Sequence, residues 1–427
     1  MADPRRPDEE EPLRREIGFF GSAFLSFNGA VGAGIFALPA ALDGQFGNFS
    51  PWLFPIFGLL VLAIVLPFAR LASFFPHSGG PVAYTAGFGP LASFQVGWIY
   101  YVARVTAMAA NANVFATYAA ALSPPLAHPA GRAAVIVALC GLLTWVNVTG
   151  LRRAVRLLDA VTLMKALPVI GIALAALVLF AGAIPAPGPL PPLSGVEAAA
   201  LLVLYAFIGF ENSLIPAGET ADARRTIPRA LIATIIATAL LYFVVQLAFI
   251  AVRPGDAAAT PLVALGQGVA GPAGALALSL AALFSIAGNA TSSMTSTPRV
   301  TYALARDGLL PAWFGRVSER FGTPANSILF MGAAAAALAL SGSFVWLAVV
   351  STLARLVVYG ASLAALPAVE RREGGRAAFG LALAVPGLLV CLWAAAQSQW
   401  PSWRMLLALL GIGLLLYAFA RRGRGRS

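Results

Sequence analysis

The stretch FNGAVGAGIFALPA, Phe27–Ala40, lies inside a long apolar run with the composition of a membrane-spanning helix. Yet Gly29, Gly32 and Gly34 fall within six residues, and Pro39 follows five residues later. Glycine loses the most backbone freedom on ordering, and proline lacks the amide donor and clashes with the turn before it. Freed backbone groups are tolerated at membrane depth only where they line a cavity or are buried in protein. The run therefore admits two readings. Its small residues let helices pack closely, or the helix unwinds at mid-membrane.

A second stretch favours unwinding. LYAFIGFENSLIPAGE, Leu204–Glu219, repeats the pattern, with Gly209 in its middle, Glu211 beside it and Pro216 in its second half. Paired interruptions at corresponding positions of two halves mark the substrate site of carriers built from inverted repeats. A broken helix offers orphan N–H groups at the start of its second half and orphan C=O groups at the end of its first. The former attract a carboxylate and the latter an ammonium. A zwitterionic α-amino acid presents both groups close together. The first stretch contains no Asp or Glu, which a carrier for plain amines would need there. Amino acids therefore fit better than monoamines or polyamines.

The rest of the chain agrees with a membrane protein. Its 427 residues are 59% hydrophobic and 11% charged, against about 25% charged in a soluble domain. Mean hydropathy is +0.84. Apolar runs of about 20 residues recur, without the alternation of barrel strands. These features predict an all-α integral membrane protein with about twelve transmembrane helices. Spans are expected at 17–42, 51–75, 93–121, 132–150, 157–182, 195–217, 228–252, 271–297, 325–341, 343–366, 377–396 and 402–420. Turn-rich segments such as DGQFGNFS, SPPLAHPAG, AIPAPGPLPPLSG and QSQWPS separate them. The expected division is a tail (1–16), a first repeat of helices 1–5 (17–182), a second repeat of helices 6–10 (183–370), and helices 11–12 with a basic tail (371–427). Five spans is an odd number, so the second repeat is inverted.

The net charge of +11 would suit nucleic acid, but its placement does not. With the N-terminus cytoplasmic, only Arg132, Arg253 and Arg404 fall outside, and Arg104, Lys165 and Arg355 fall within spans. All other basic residues are then cytoplasmic, as the positive-inside rule requires. The expectation is a multi-pass protein of the inner (plasma) membrane with both termini cytoplasmic, whose basic loops meet anionic lipid head groups. The charged N-terminus MADPRRPDEEEPLRRE reads as a cytoplasmic tail and not as a signal peptide. Cys140 and Cys391 sit in apolar runs and read as buried thiols. His77 and His128 fall in loops, no metal-ligand spacing occurs, and no Ser/His/Asp set can be assembled in the membrane. Neither an enzyme nor a metal or cofactor is expected, and no filter-like motif marks a channel.

Taken together, GAVGAGIFALP (29–39), FPHSGGPVAYTAGFGP (75–90), YAFIGFENSLIPAGETADARRTIPRAL (205–231) and PRVTYALARDGLLPAWFGRV (298–317) carry a family resemblance. The chain resembles the amino acid–polyamine–organocation permeases over about residues 17–420. The resemblance implies a leucine-transporter-like 5+5 inverted repeat with broken helices 1 and 6. It implies that the substrate carboxylate lies on the amides of Gly32, Ala33 and Gly34. The ammonium would lie on carbonyls of Ala30, Tyr205 and Ile208, beside Gly209. Some relatives carry Ser where Ala33 stands. Tyr205 is either an aromatic gate over the substrate or an ordinary packed aromatic.

Lys165, the sole lysine, sits about two turns into span five, roughly 10–12 Å deep. It either snorkels to the interface or titrates, which arginine cannot do in a protein. The resemblance implies that its amine fills the place of a sodium ion held by other members, near Thr291 and Ser292, with a proton as coupling ion. Glu211 either holds freed backbone donors or carries a proton. Arg104 either faces the cavity, which opens the way to an acidic substrate, or pairs with Glu211; Arg355 has no assignment. Ala30, Ala33 and Met108 favour a neutral substrate. The function expected is secondary active transport of neutral α-amino acids, proton-coupled or sodium-independent. An exchanger and a carrier-like amino acid sensor are the alternatives.

Overall fold

The computed structural model describes residues 17–76, 80–150, 167–215, 217–255 and 258–424. The tail 1–16, Lys165 and Pro216 lie outside these residues. Among the described residues nearly all the chain is helical, and the β contact present is an isolated bridge between Ile17 and Thr220. The helices are α1 (Phe19–Ala30), α2 (Gly34–Ala37), α3 (Pro39–Phe46), α4 (Leu53–Phe74), α5 (Gly80–Tyr84), α6 (Pro90–Leu122), α7 (Pro129–Thr149), α8 (Leu167–Leu179), α9 (Leu193–Tyr205), α10 (Ala223–Val252), α11 (Pro261–Ser296), α12 (Pro298–Arg306), α13 (Ala325–Ser341), α14 (Phe344–Arg372), α15 (Ala377–Ala396) and α16 (Trp400–Arg424). Ten helical stretches among the described residues are long and apolar enough to cross a membrane. α8 and α13 are shorter apolar helices at the places expected for spans five and nine.

The polarity of the bundle is that of a protein dissolved in lipid. Leu59, Trp145, Val178, Leu240, Leu392 and Leu415 are exposed, whereas Asn111, Asn289, Arg104 and Glu211 are buried. In hydrocarbon a polar group must find its partner within the protein. α6 is the central post, buried along most of its length and packed against α14, α11 and α13. α10 packs on α4 and α1, and α14 on α15. Proline opens α6, α7 and α11, where its missing amide is an orphan in any case.

Two boundaries differ from expectation. DGQFGNFS is not a simple turn. Asp43–Phe46 closes α3, and Gly47–Trp52 forms a 3-10 turn that carries the chain into α4. Gly47, with φ +50°, redirects the backbone, while buried Phe46 and Phe49 hold the segment in the core. Span eight, expected from residue 271, starts earlier as α11. The chain leaves helical geometry at Ala270 and Gly271 (φ +59°) and resumes at Pro272. The apolar period is thus reset at 271. Cys140 and Cys391 are buried free thiols, as expected.

Candidate functional site

Both helices with central glycines are interrupted. α1 stops at Ala30. The Gly32 amide reaches back only two residues, to the Ala30 carbonyl at 2.9 Å, and α2 begins at Gly34 without a side-chain cap. α9 stops at Tyr205. The amides of Phe207 and Ile208 then donate three residues back, to Leu204 and Tyr205, at 2.9 and 3.2 Å. Gly209, with φ +120°, turns the chain into the short 3-10 segment Phe210–Leu214. The two breaks touch backbone to backbone. A Cβ on Gly29 would overlap the Gly209 carbonyl and the Asn212 side chain, and a Cβ on Gly209 would overlap the Gly29 carbonyl. The Ser26 hydroxyl locks the crossing by donating to the Phe210 carbonyl at 2.6 Å.

A cavity lies at this crossing. Ala30, Gly32, Ala33, Gly34, Tyr205, Ile208 and Gly209 all line it, as does Arg104. Met108 is buried in α6 but is not part of the cavity wall, and neither are Thr291 and Ser292 of α11. Lys165 lies outside the described residues. Several of the expected main-chain ligands are already engaged. The Ala30 carbonyl accepts from the Gly32 amide and, at 3.0 Å, from the Tyr242 hydroxyl, which uses both of its lone pairs. The Ala33 amide donates to Asn111 Oδ1 at 3.3 Å. Of the three expected carboxylate donors, Gly34 is the one whose amide makes no hydrogen bond among the described residues.

The residues that replace the missing helical bonds are asparagines. Asn111 of α6 donates to Asn289 Oδ1 of α11 at 2.8 Å. Asn289 Nδ2 in turn donates to the Asn28 and Gly29 carbonyls at 3.0 and 2.8 Å. The orphan carbonyls at the end of α1 thus find their partner on α11, and Asn111 reaches the start of α2. The Tyr205 hydroxyl approaches Asn111 Oδ1 at 3.5 Å, and its ring meets Phe344 edge-on at 5.8 Å. An asparagine within an apolar span is the signal that marks such a residue. Asn289→Ala is expected to cost about 1–3 kcal/mol, because the Asn28 and Gly29 carbonyls at the end of α1 lose their donor. A lowered unfolding temperature in detergent, with reduced transport, would register the loss.

Charge is arranged around the second break. Glu211 is fully buried. Its Oε2 accepts from the Gly209 amide at 3.0 Å and the Tyr359 hydroxyl at 2.9 Å, and its Oε1 accepts from Arg355 Nε at 3.0 Å. Glu211 thus holds a freed backbone donor and ties it to α14. Arg355 also donates to the Ala103 carbonyl at 3.3 Å and to Ser351, which connects α14 to α6. Arg104 does not pair with Glu211. It donates to Thr297 Oγ1 at 3.0 Å, to Ser296 Oγ at 2.9 Å and to Asn212 Oδ1. Among the described residues no cluster suited to a metal ion occurs.

A helical bundle with apolar side chains outward and a polar cavity between two interrupted helices suits a membrane transporter, the class to which the matching family and its named relatives point. The chain belongs to the amino acid permease family, whose pattern matches residues 17–421. It is 30% identical to an uncharacterized transporter of Mycobacterium tuberculosis, over 98% of this chain and 94% of that protein. It is 28% identical to a branched-chain amino acid permease of Bacillus subtilis (96% and 93%) and 26% identical to a methylthioribose transporter of the same organism (96% and 94%).

Proposed function

We propose that the protein is a secondary active transporter of α-amino acids, working by alternating access around the cavity between α1 and α9. The observation that carries the reading is the contact of two main-chain breaks, Gly29 against Gly209, beside a cavity lined by both. Such breaks offer donors and acceptors of opposite sign to a zwitterion without an ionised side chain. The relatives include an amino acid permease by name and also a transporter of methylthioribose, so kinship alone does not choose the cargo. The proposal includes two inverted repeats, 17–182 and 183–370, with α1 and α9 in equivalent places. Both termini are assigned to the cytoplasmic side of the cell membrane from the distribution of arginine. The small side chains of Ala30 and Ala33 in the wall suit a compact substrate.

Concentrative uptake into proteoliposomes under an imposed pH gradient tests this reading. A channel would equilibrate the amino acid without concentrating it, and a sensor would bind it without moving it. Proton coupling is assigned to Lys165, the one titratable basic residue within a span. Lys165→Ala is expected to flatten the pH dependence of uptake. An unchanged rate and pH profile would exclude Lys165 as the proton carrier.

A further inference from the structure

We infer that the cargo is an amino acid bearing a second carboxylate, a net anion, and that Arg104 takes that carboxylate with Arg355 beside it. The inference rests on the transporter reading of the cavity given above. Two guanidinium groups, Arg104 and Arg355, line the cavity, and both side chains are almost wholly buried. One carboxylate, Glu211, balances them, and it is bonded to Arg355. The partners of Arg104 are all neutral oxygens, on Thr297, Ser296 and Asn212. Among the described residues, the wall and the side chains bonded to it therefore carry one positive charge more than they carry negative. Arginine does not shed its proton in a protein, so the excess persists at every physiological pH.

An uncompensated charge away from water is costly, and intramembrane charges mark substrate pathways. A zwitterion would not remove the excess, because its own charges cancel on the main-chain breaks. A substrate with net charge −1 removes it. The donors for that group are present. A guanidinium has five N–H donors. Three hydrogen bonds of Arg104 leave one N–H on each terminal nitrogen. Arg355 spends its bonds through Nε and one terminal nitrogen, and its other terminal nitrogen makes none among the described residues. Paired N–H groups in a planar fork match the two oxygens of a carboxylate. Arg355 donates to the carbonyl of Ala103, the residue before Arg104, and both arginines line the same cavity. The expectation of a neutral cargo leaned partly on Met108, which is not part of the wall.

The test compares isosteric pairs on the full-length protein: aspartate against asparagine, and glutamate against glutamine. Binding is read by thermal shift and transport by competition in proteoliposomes. The inference predicts that one acidic member is preferred over its amide by about 10- to 100-fold, the range of a charged hydrogen-bonded contact. An amide that binds as well as its acid, or better, overturns the anionic assignment and leaves the transporter reading intact. If none of the twenty amino acids binds or is taken up, the transporter reading itself fails. Arg104→Gln is expected to bring the acid-to-amide preference close to parity, and Arg104→Lys to retain part of it. The ligand-free unfolding temperature shows that each variant is folded. An unchanged preference in a folded Arg104→Gln protein removes Arg104 from the site.

Discussion

Gly209→Ala is expected to abolish transport and to destabilise the protein by about 2–6 kcal/mol. Two separate effects add. A non-glycine residue held at φ +120° is strained, at a cost of about 1–3 kcal/mol. The added methyl also overlaps the Gly29 carbonyl and its carbon, and overpacking of this kind costs about 1–3 kcal/mol. Neither effect can relax locally, because the Gly209 amide is held by Glu211 and the Ser26 hydroxyl pins the facing helix. Gly44→Ala is the matched control. Gly44 lies in α3 with nothing within 4 Å of an added Cβ, so the substitution should leave stability unchanged or raise it by up to about 1 kcal/mol. Thermal unfolding of the purified protein, paired with uptake, gives both readings. Normal transport by Gly209→Ala would mean that the two breaks are not in contact.

The second large effect is expected at Glu211→Gln. Removing one member of a buried ion pair leaves the other charge uncompensated, which costs about 3–5 kcal/mol. Here the loss reaches further, because the same carboxylate also accepts from the Gly209 amide and the Tyr359 hydroxyl. The positive excess of the wall would rise from one charge to two. Combining Glu211→Gln with Arg355→Gln removes both charges, and the double variant should be more stable than Glu211→Gln alone. Transport should not return with stability, since Arg355 lines the cavity. A double-mutant cycle on unfolding temperature measures the coupling; strictly additive losses would contradict a direct pair.

The interruptions of α1 and α9 were legible because glycine and proline are costly at membrane depth, and Gly29, Gly32, Gly34 and Gly209 all fall at or beside a break. The reason for two of these glycines was not legible. Gly29 and Gly209 are small because their backbones meet, a contact between residues 180 positions apart in the chain. Local weakness can be read from composition, but which distant carbonyl occupies the space cannot. The intramembrane charges were visible as anomalies, yet their pairing was not. Arg104 and Arg355 are both arginines in apolar spans, and only the packing of α14 beside the break that follows α9 gives Glu211 to Arg355. Asn111 and Asn289 stand out in their apolar spans as polar residues, but the orphan groups they serve depend on how α6 and α11 pack against α1. Met108 shares α6 with the wall but is not part of it, and Thr291 and Ser292 were expected beside Lys165, which lies outside the described residues. The angular position of a residue on a helix buried on most sides leaves no amphipathic trace in the sequence.

The central claim is that the cavity between the two broken helices holds the transported amino acid. Labelling of a thiol placed in its wall tests this most directly. Ala107 lines the cavity from α6, and the native Cys140 and Cys391 are buried. In an Ala107→Cys protein that still transports, saturating amino acid should slow modification by a small membrane-permeant thiol reagent severalfold. Modification at Gly44→Cys, in the open, should not change. Equal labelling of Ala107→Cys with and without a transported amino acid would place the cargo elsewhere.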